Sequence, residues 1–386
     1  MDKSLLIVGA SVRAAAFSAL RAGLHPWCVD LFADMDLQRR CPVTRLTGRY
    51  PEAFQRFIDS DLPGPWMYTG GLENWPQLVE RWMRRRSLWG NAEQTLWDTR
   101  NPEYVISWLR HARMPTPAVA RSSDQAAPTC RWLLKPRRGA GGAGIRFWMR
   151  TDDSWDKNDV YCQEFIEGQS LSLVFLGGRR TARLLGLTRQ LVGLPWLHAA
   201  PFRYCGSIGP LDPSIVERPS LEELGHLLAS ECFLEGLFGI DGILRDGLFF
   251  PVEINPRYTA SVEVLEYATA APMLSWHAHV FAHRRLPSLP SVGGTGVSPV
   301  IPAIGKAILF ARADLHFPSD GPWMAELRSP RSVQDMPAFA DIPAAGERIE
   351  AGKPILTFFA LADSPSACED VLRQIAADLD RWLFQR

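Results

Sequence analysis

Residues 241–257, DGILRDGLFFPVEINPR, decide how this chain is read. Ile240 to Leu244 and Leu248 to Ile254 are apolar strands, and Arg245-Asp246-Gly247 between them supplies the turn of a short hairpin. Glu253 and Asn255 are two residues apart, so their side chains leave one face of the strand. Asp241 lies on the partner strand. Three hard oxygen donors on neighbouring strands suit Mg2+, which takes few protein ligands and shares its shell with phosphate oxygens. Arg257, just past Pro256, offers a guanidinium fork for a phosphate or acyl phosphate oxygen. Acids at strand ends and an Asn-Pro turn are each ordinary; that explanation strains when all of them share one segment.

Upstream, Lys135 ends the strand-like run Arg131 to Lys135 and opens the loop PRRGAGGAG, residues 136–144. Glycines at Gly139, Gly141, Gly142 and Gly144 let backbone N–H groups approach an anion, and Lys135 can reach phosphate oxygens as a point charge. The lysine precedes the glycines and no Gly-Lys-Ser/Thr follows, so this is not a Walker loop. With Ile145 to Met149 as a return strand, the segment reads as a hairpin flap able to close over phosphates. The bland reading is a surface turn. Yet a chain with lysine only at positions 3, 135, 157, 306 and 353 keeps one here. Next comes QEFIEG, a strand from Tyr161 to Ile166 broken at Gly168. As an interdomain hinge, its backbone can meet an adenine edge while Phe165 and its apolar neighbours pack the ring.

The N-terminus reads as an open α/β unit. Ser4 to Val8 is a buried strand, residues 12–22 a helix and Leu24 to Leu31 a second strand. The full G-x-G-x-x-G is absent, because Gly9 is followed by Ser11 and Ala14. A structural α/β domain is therefore preferred over a dinucleotide site with Asp30 on a ribose hydroxyl. Further helices are expected over Leu78 to Arg86 and Pro102 to Ala112. Ser220 and Glu223 form a capping-box signal for the longest helix, residues 221–238, stopped by Gly239. Residues 260–270 read as a helix and 287–300 as a linker. The tail shows strands at Ala307 to Ala311 and Ile355 to Ala360 and a helix from Ala367 to Phe384.

Composition narrows the partners. The 386 residues hold 42 basic and 42 acidic side chains, so no broad basic field attracts nucleic acid or anionic lipid. Seven scattered cysteines without a C-x-x-C pair argue against a disulfide framework or a zinc site. Residues 1–8 lack the features of a signal peptide, and no run of 18 apolar residues occurs. The expected location is the cytoplasm, with small-molecule substrates, no nucleic acid, no membrane, and a homodimer left open.

Taken in order, the flap lysine in LLKPRRGAGGAG, the hinge in QEFIEG and the E-I-N-P-R strand resemble the ATP-grasp superfamily, over residues from about 96 to 285. The resemblance implies an α/β fold. Residues 1–95 would be an N-terminal open α/β (pre-ATP-grasp) domain, 96–168 a small subdomain with the flap, 169–290 a large subdomain with the metal strands, and 291–386 a small C-terminal α/β region. It implies ATP and Mg2+ as cofactors. Lys135 would contact phosphates, Glu164 and Ile166 would bracket adenine, and Asp241, Glu253 and Asn255 would hold Mg2+. Arg257 would support the acyl phosphate and its oxyanion. Two positions depart from the family pattern: Arg100 in WDTRNP stands where many members carry lysine, and Ser170 where many carry an acid for the ribose. The tail DIPAAGERIEAGKPILTFFA is similar to that of predicted carboligases related to biotin carboxylase, some linked to one-carbon (methanopterin) metabolism. The implied activity is carboxylate–amine or carboxylate–thiol ligation through an acyl phosphate, releasing ADP. The other reading is a nucleotide-binding regulatory or structural protein without turnover. Arg203 in PFRYCGSIGP is the candidate anchor for a substrate carboxylate or phosphate. His198 is a weaker candidate, read first as structural.

Overall fold

In the computed structural model, residues 3–120, 126, 130–149, 159–289 and 302–384 are described. The first strand, Ser4–Val8, pairs in parallel with His25–Asp30 on one side and Trp66–Tyr68 on the other, and Val43–Arg45 extends the sheet beyond His25–Asp30. Strand order reverses at Ser4–Val8: the chain first adds strands on the His25–Asp30 side and then returns to add Trp66–Tyr68 on the other. The crevice at the carboxyl ends of those two strands is a topological switch point, where open α/β sheets take ligands. The two loops leaving it touch: Thr69 Oγ1 donates to Ser11 O at 2.8 Å, and a Cβ on Gly9 would lie 1.9 Å from Thr69 Oγ1. Asp30 is fully buried and accepts backbone N–H groups from Val12 (3.2 Å), Phe32 (3.1 Å) and Ala33 (2.7 Å). Its carboxylate fastens the strand end to the helix Arg13–Arg21, which closes the ribose-binding reading.

The centre is an eight-stranded antiparallel sheet. Its order is Leu248–Asn255, Gly236–Arg245, Gln169–Gly178, Thr181–Val192, Tyr204–Gly209, Ala303–Phe310, Pro354–Ala362, Phe339–Ala340. The C-terminal strands therefore complete the same sheet that carries the hairpin. One face bears Leu171, Leu173, Phe175 and Leu187, then Ala307, Leu309 and Phe358, and packs under the helices Leu221–Glu231 and Pro365–Phe384. The other face divides. Val174 and Leu176 sit under the helices Ala260–Thr269 and Met273–His283. Beside them Glu253, Asp241, Ser172 and Thr188 stand opposite one another on four adjacent strands, and Gln190, Ser207 and Lys306 do the same on three. A polar row inside the largest sheet does nothing for a core, so it marks where the fold is built to meet something polar.

A smaller antiparallel sheet, Val119–Ala120, Val160–Glu164, Trp132–Pro136 and Arg146–Phe147, stands apart from this one. Trp132, Leu134 and Cys162 make its own core. Lys135, Gln163 and Phe147 belong to its opposite face, by the alternation of the pleat and the pairs Leu133–Gln163 and Leu133–Phe147.

The hairpin turn forms as expected, with Asp246 at φ 51° and Gly247 at φ 73°. The Ser220 cap also forms, its Oγ accepting from Glu223 N at 3.4 Å. The helix it starts is shorter than the sequence suggests, ending at Glu231 rather than near 238. Phe233 (φ 55°) and Gly236 (φ 70°) reverse the chain, and Leu237 then donates its N–H to His277 Nδ1 at 2.9 Å. A Cβ at Gly236 would lie 2.5 Å from that nitrogen, so the glycine lets the strand begin against the imidazole. The longest helix among the described residues is Pro365–Phe384. The flap's return strand covers only Arg146–Phe147, and the expected helix over 78–86 runs Pro76–Met83. Residues 290–300 of the expected linker lie outside the described residues. No helix among those described is long and apolar enough to cross a membrane.

Candidate active site

Strand register brings the three oxygen-donor residues together. Asp241 pairs with Glu253, and Asn255 Nδ2 donates to Asp241 Oδ2 at 2.8 Å. The other carboxylate oxygen, Asp241 Oδ1, is buried and has no hydrogen bond of good geometry, although the Ser172 and Gln190 side chains face the carboxylate and favour its charged form. Burial, reinforced by the Glu253 charge, pushes the Asp241 carboxyl up to about 6. Enclosure alone would raise Glu253 as well, but Arg100, Lys135 and Arg257 outweigh it and hold that group below the usual carboxylate range. The Glu253 side chain is 33% exposed, so it opens onto a cleft. No group of three or more His, Cys, Asp or Glu among the described residues could hold a metal by itself. Two carboxylates and an amide, one oxygen orphaned, fit a Mg2+ that draws its remaining ligands from phosphates.

Two arginines frame this cluster, and Glu73 and Asn74, in the loop after Trp66–Tyr68, fix both. Arg100 Nη1 donates to Glu253 Oε1 at 2.7 Å, while its Nη2 donates to Asn74 Oδ1 (2.8 Å) and Gly139 O (3.0 Å). Arg257 Nε donates to Glu73 Oε1 at 2.8 Å, and its Nη2 to Asn255 Oδ1 at 3.0 Å. Glu73 and Asn74 are adjacent in the loop at the switch point. Asn91 braces the same region, its amide donating to Pro256 O and Glu235 O, each at 3.0 Å. Reading the sequence missed Glu73, Asn74 and Asn91. YTGGLEN, residues 68–74, was the available signal: two glycines followed by an acid and an amide after a strand.

Lys135 reaches from the small sheet to the large one, its Nζ donating to Gln163 Oε1 (3.0 Å) and Val252 O (3.2 Å). A cleft lined by Arg100, Tyr161, Gln163, Val252 and Glu253 runs past it. Gln163, the first residue of the hinge motif but given no role there, shares the Lys135 face because strand positions alternate. Glu164 uses one carboxylate oxygen to accept from Ala118 N (2.9 Å), which ties its side chain to the neighbouring strand. Ile166 is buried, and Phe165 packs edge-on to Phe147 with ring centroids 5.1 Å apart. Ser170 is half-buried on the polar face, one alternation from Ser172.

The glycine loop lies down on its surroundings. Gly139 O accepts from Asn74 at 3.2 Å as well as from Arg100, and Gly141 O accepts from Tyr204 N at 3.1 Å. Gly142, at φ 78°, presses so closely that a Cβ would lie 1.8 Å from Phe202 O. Gly144 is also at positive φ, 76°. Arg203 sits on the turn that receives the flap, half-buried, with no hydrogen bond or ion pair from its guanidinium to the described residues. His198 is structural: its Nε2 lies 2.9 Å from Asp380 Oδ1 on the C-terminal helix.

A cleft between two antiparallel sheets, a glycine flap carrying a lysine and a carboxylate–amide hairpin together define the ATP-grasp architecture. Residues 104–261 match the family model described as an ATP-grasp domain. The chain carries that domain, and the ATP-grasp fold extends over nearly all of its length. Biotin carboxylase from Campylobacter jejuni, in a β,γ-ATP complex, superposes with a TM-score of 0.68 at 15% identity, covering 97% of this chain and 91% of that one. The L-amino acid ligase of Bacillus licheniformis gives 0.67 at 16% identity, covering 97% of each. The biotin carboxylase domain of 2-oxoglutarate carboxylase from Hydrogenobacter thermophilus, solved with MgADP and bicarbonate, gives 0.66 at 14%, covering 96% and 89%. By sequence, the uncharacterised protein MJ0776 of Methanocaldococcus jannaschii is 25% identical over 254 residues, 64% of this chain. The matched stretch spans only about half of that relative, 55% of its length.

Proposed function

We propose that the protein is an ATP- and Mg2+-dependent ligase that joins a carboxylate to an amine or thiol through an acyl phosphate, releasing ADP and phosphate. The observation that carries this reading is the orphaned Asp241 oxygen beside Glu253 and Asn255, with Arg257 adjacent. Asp241, Glu253 and Asn255 would hold Mg2+, which when bound draws charge from the phosphate oxygens. Lys135 steadies the phosphates from the opposite sheet, and Arg100 adds a second positive charge at the cleft. Gly139, Gly141, Gly142 and Gly144 bring backbone N–H groups over the nucleotide and keep water from the acyl phosphate. Glu164, Phe165 and Ile166 line the purine end, with Ser170 toward the ribose. Arg257 stabilises the oxyanion as the nucleophile adds. The acceptor enters at the switch point of the N-terminal sheet, where Arg257 meets the Thr69–Asn74 loop, and Arg203 anchors a carboxylate or phosphate from the flap side.

Product chromatography tests the chemistry. With ATP, Mg2+, the standard amino acids and a set of small carboxylates, ADP and phosphate are expected. Clean AMP and pyrophosphate would overturn the mechanism. The second reading, nucleotide binding without turnover, draws on the Arg100–Glu253 ion pair, which occupies one metal-facing oxygen. It predicts tight ATP binding and no ADP with any substrate pair.

A further inference from the structure

We propose that Glu73 is a positioning residue that acts through Arg257, aiming that guanidinium's unused N–H groups at the reacting centre; this rests on the ligase reading above. Arginine carries five N–H donors. Arg257 spends one on Glu73 Oε1 (2.8 Å), one on Tyr258 O (3.1 Å) and one on Asn255 Oδ1 (3.0 Å). Two remain, and the three bonds fix their direction. The Tyr258 and Asn255 bonds come from the same short segment as Arg257. Glu73 is the one charged partner from outside it, and its side chain is only 1% exposed.

Glu73 is itself immobilised. Its second oxygen accepts Gly71 N at 2.6 Å. Gly71 has φ 106°, and a Cβ there would lie 2.3 Å from Tyr50 Oη. A Cβ on Gly70 would lie 3.3 Å from Arg257 Cζ, so the loop backbone lies against the guanidinium. Leu72, between them, is fully buried in the core of the N-terminal domain. The carboxylate is thus mounted on a rigid support, as an aligning group must be. Glutamine cannot replace it. A single amide oxygen can serve Arg257 or Gly71, and the amide nitrogen then faces a donor. Glu253 cannot substitute either, being committed to Arg100.

The test is a double-mutant cycle on full-length protein, reading ADP release with ATP, Mg2+ and a fixed mixture of the standard amino acids and short-chain carboxylates. Glu73→Gln is expected to lower kcat at least about tenfold with KM for ATP changed less than about twofold, because only alignment at the reacting end is lost. Glu73→Asp should recover part of the loss. In the Arg257→Lys background, Glu73→Gln should cost no more than about a further twofold, since its effect passes through the arginine. If Glu73→Gln does not fold, Glu73→Asp carries the same cycle, and full activity of that variant overturns the proposal. Fully multiplicative losses, or unchanged kcat per folded molecule with only a lower Tm, would also overturn it while leaving the ligase reading intact. No ADP from the native protein would overturn both.

Discussion

Asp241 Oδ1 is the most informative single atom in the molecule. A buried carboxylate oxygen with no hydrogen bond is costly, and the Glu253 carboxylate opposite adds a second negative charge beside it. That imbalance is what a divalent ion resolves. Glu253→Gln keeps the side-chain volume and removes one charged ligand and one half of the Arg100 ion pair. Turnover should fall by roughly 10²-fold, with a higher Mg2+ concentration needed for half-maximal rate. A Mg2+ titration of ADP release checks this, and an unchanged curve would show that Glu253 is not a ligand. Motif spacing identified Asp241, Glu253, Asn255 and Arg257. Glu73, Asn74 and Gln163 were not legible in the same way, because their meaning comes from partners more than twenty residues away in sequence.

At the scale of elements, the hairpin and the flap behave differently. The hairpin's turn is specified locally: Asp246-Gly247 sets a two-residue turn whose register runs as far as the Gly242–Pro251 pair, and a bulge between Gly242 and Asp241 then shifts it by one residue and puts Asp241 opposite Glu253 rather than Val252. The flap has little structure of its own and is held by what it touches. Gly142→Ala should unseat it, since a methyl group has no room beside Phe202 O and φ 78° disfavours a side chain. KM for ATP should rise on the order of tenfold as the cover over the phosphates loosens. Trypsin should also cut faster after Arg137 and Arg138. Identical KM and cleavage rates would mean that the Gly142 contact does not hold the flap.

Across the whole molecule, buried polar bridges hold the N-terminal sheet and its helices on the central sheet. Arg13, on the first helix, pairs with Glu263 and Asp341, and Lys306 from the sheet donates to Glu263 at 2.7 Å. His277 is a second bridge, its Nδ1 accepting from Leu237 N (2.9 Å) and its Nε2 donating to Trp89 O (3.2 Å). Burial lowers this imidazole to about 4. The unfolded chain takes up the proton near pH 6.5, the folded one only near pH 4, so stability is lost as pH falls through that window. The loss between pH 7 and pH 5 is about 2 kcal/mol. His277→Gln retains an acceptor and a donor but does not titrate. Urea unfolding at both pH values should show the native protein losing about 2 kcal/mol more than this variant. Equal losses would mean that His277 does not set the acid sensitivity.

What the sequence by itself determined is whatever depends on short separations. Alternation placed Glu253 and Asn255 on one face, Ser220 capped its helix, and Asp246-Gly247 closed its turn. Those are properties of adjacent residues and of the pleat, so they survive without knowledge of the rest of the chain. The helix from Leu221 escaped that logic: Phe233, Leu234, Leu237 and Phe238 suit a helix face or a buried strand equally, and the chain reverses after Glu231 to begin a strand at Gly236 against His277. Only the tertiary structure decided that the C-terminal strands finish the central sheet, and that Asp30 caps a helix instead of binding a ribose. Only there does the Thr69–Asn74 loop hold both site arginines. The reason is physical: a buried charge takes whichever partner the packing brings within about 3 Å, and packing pairs residues with no fixed separation in the chain.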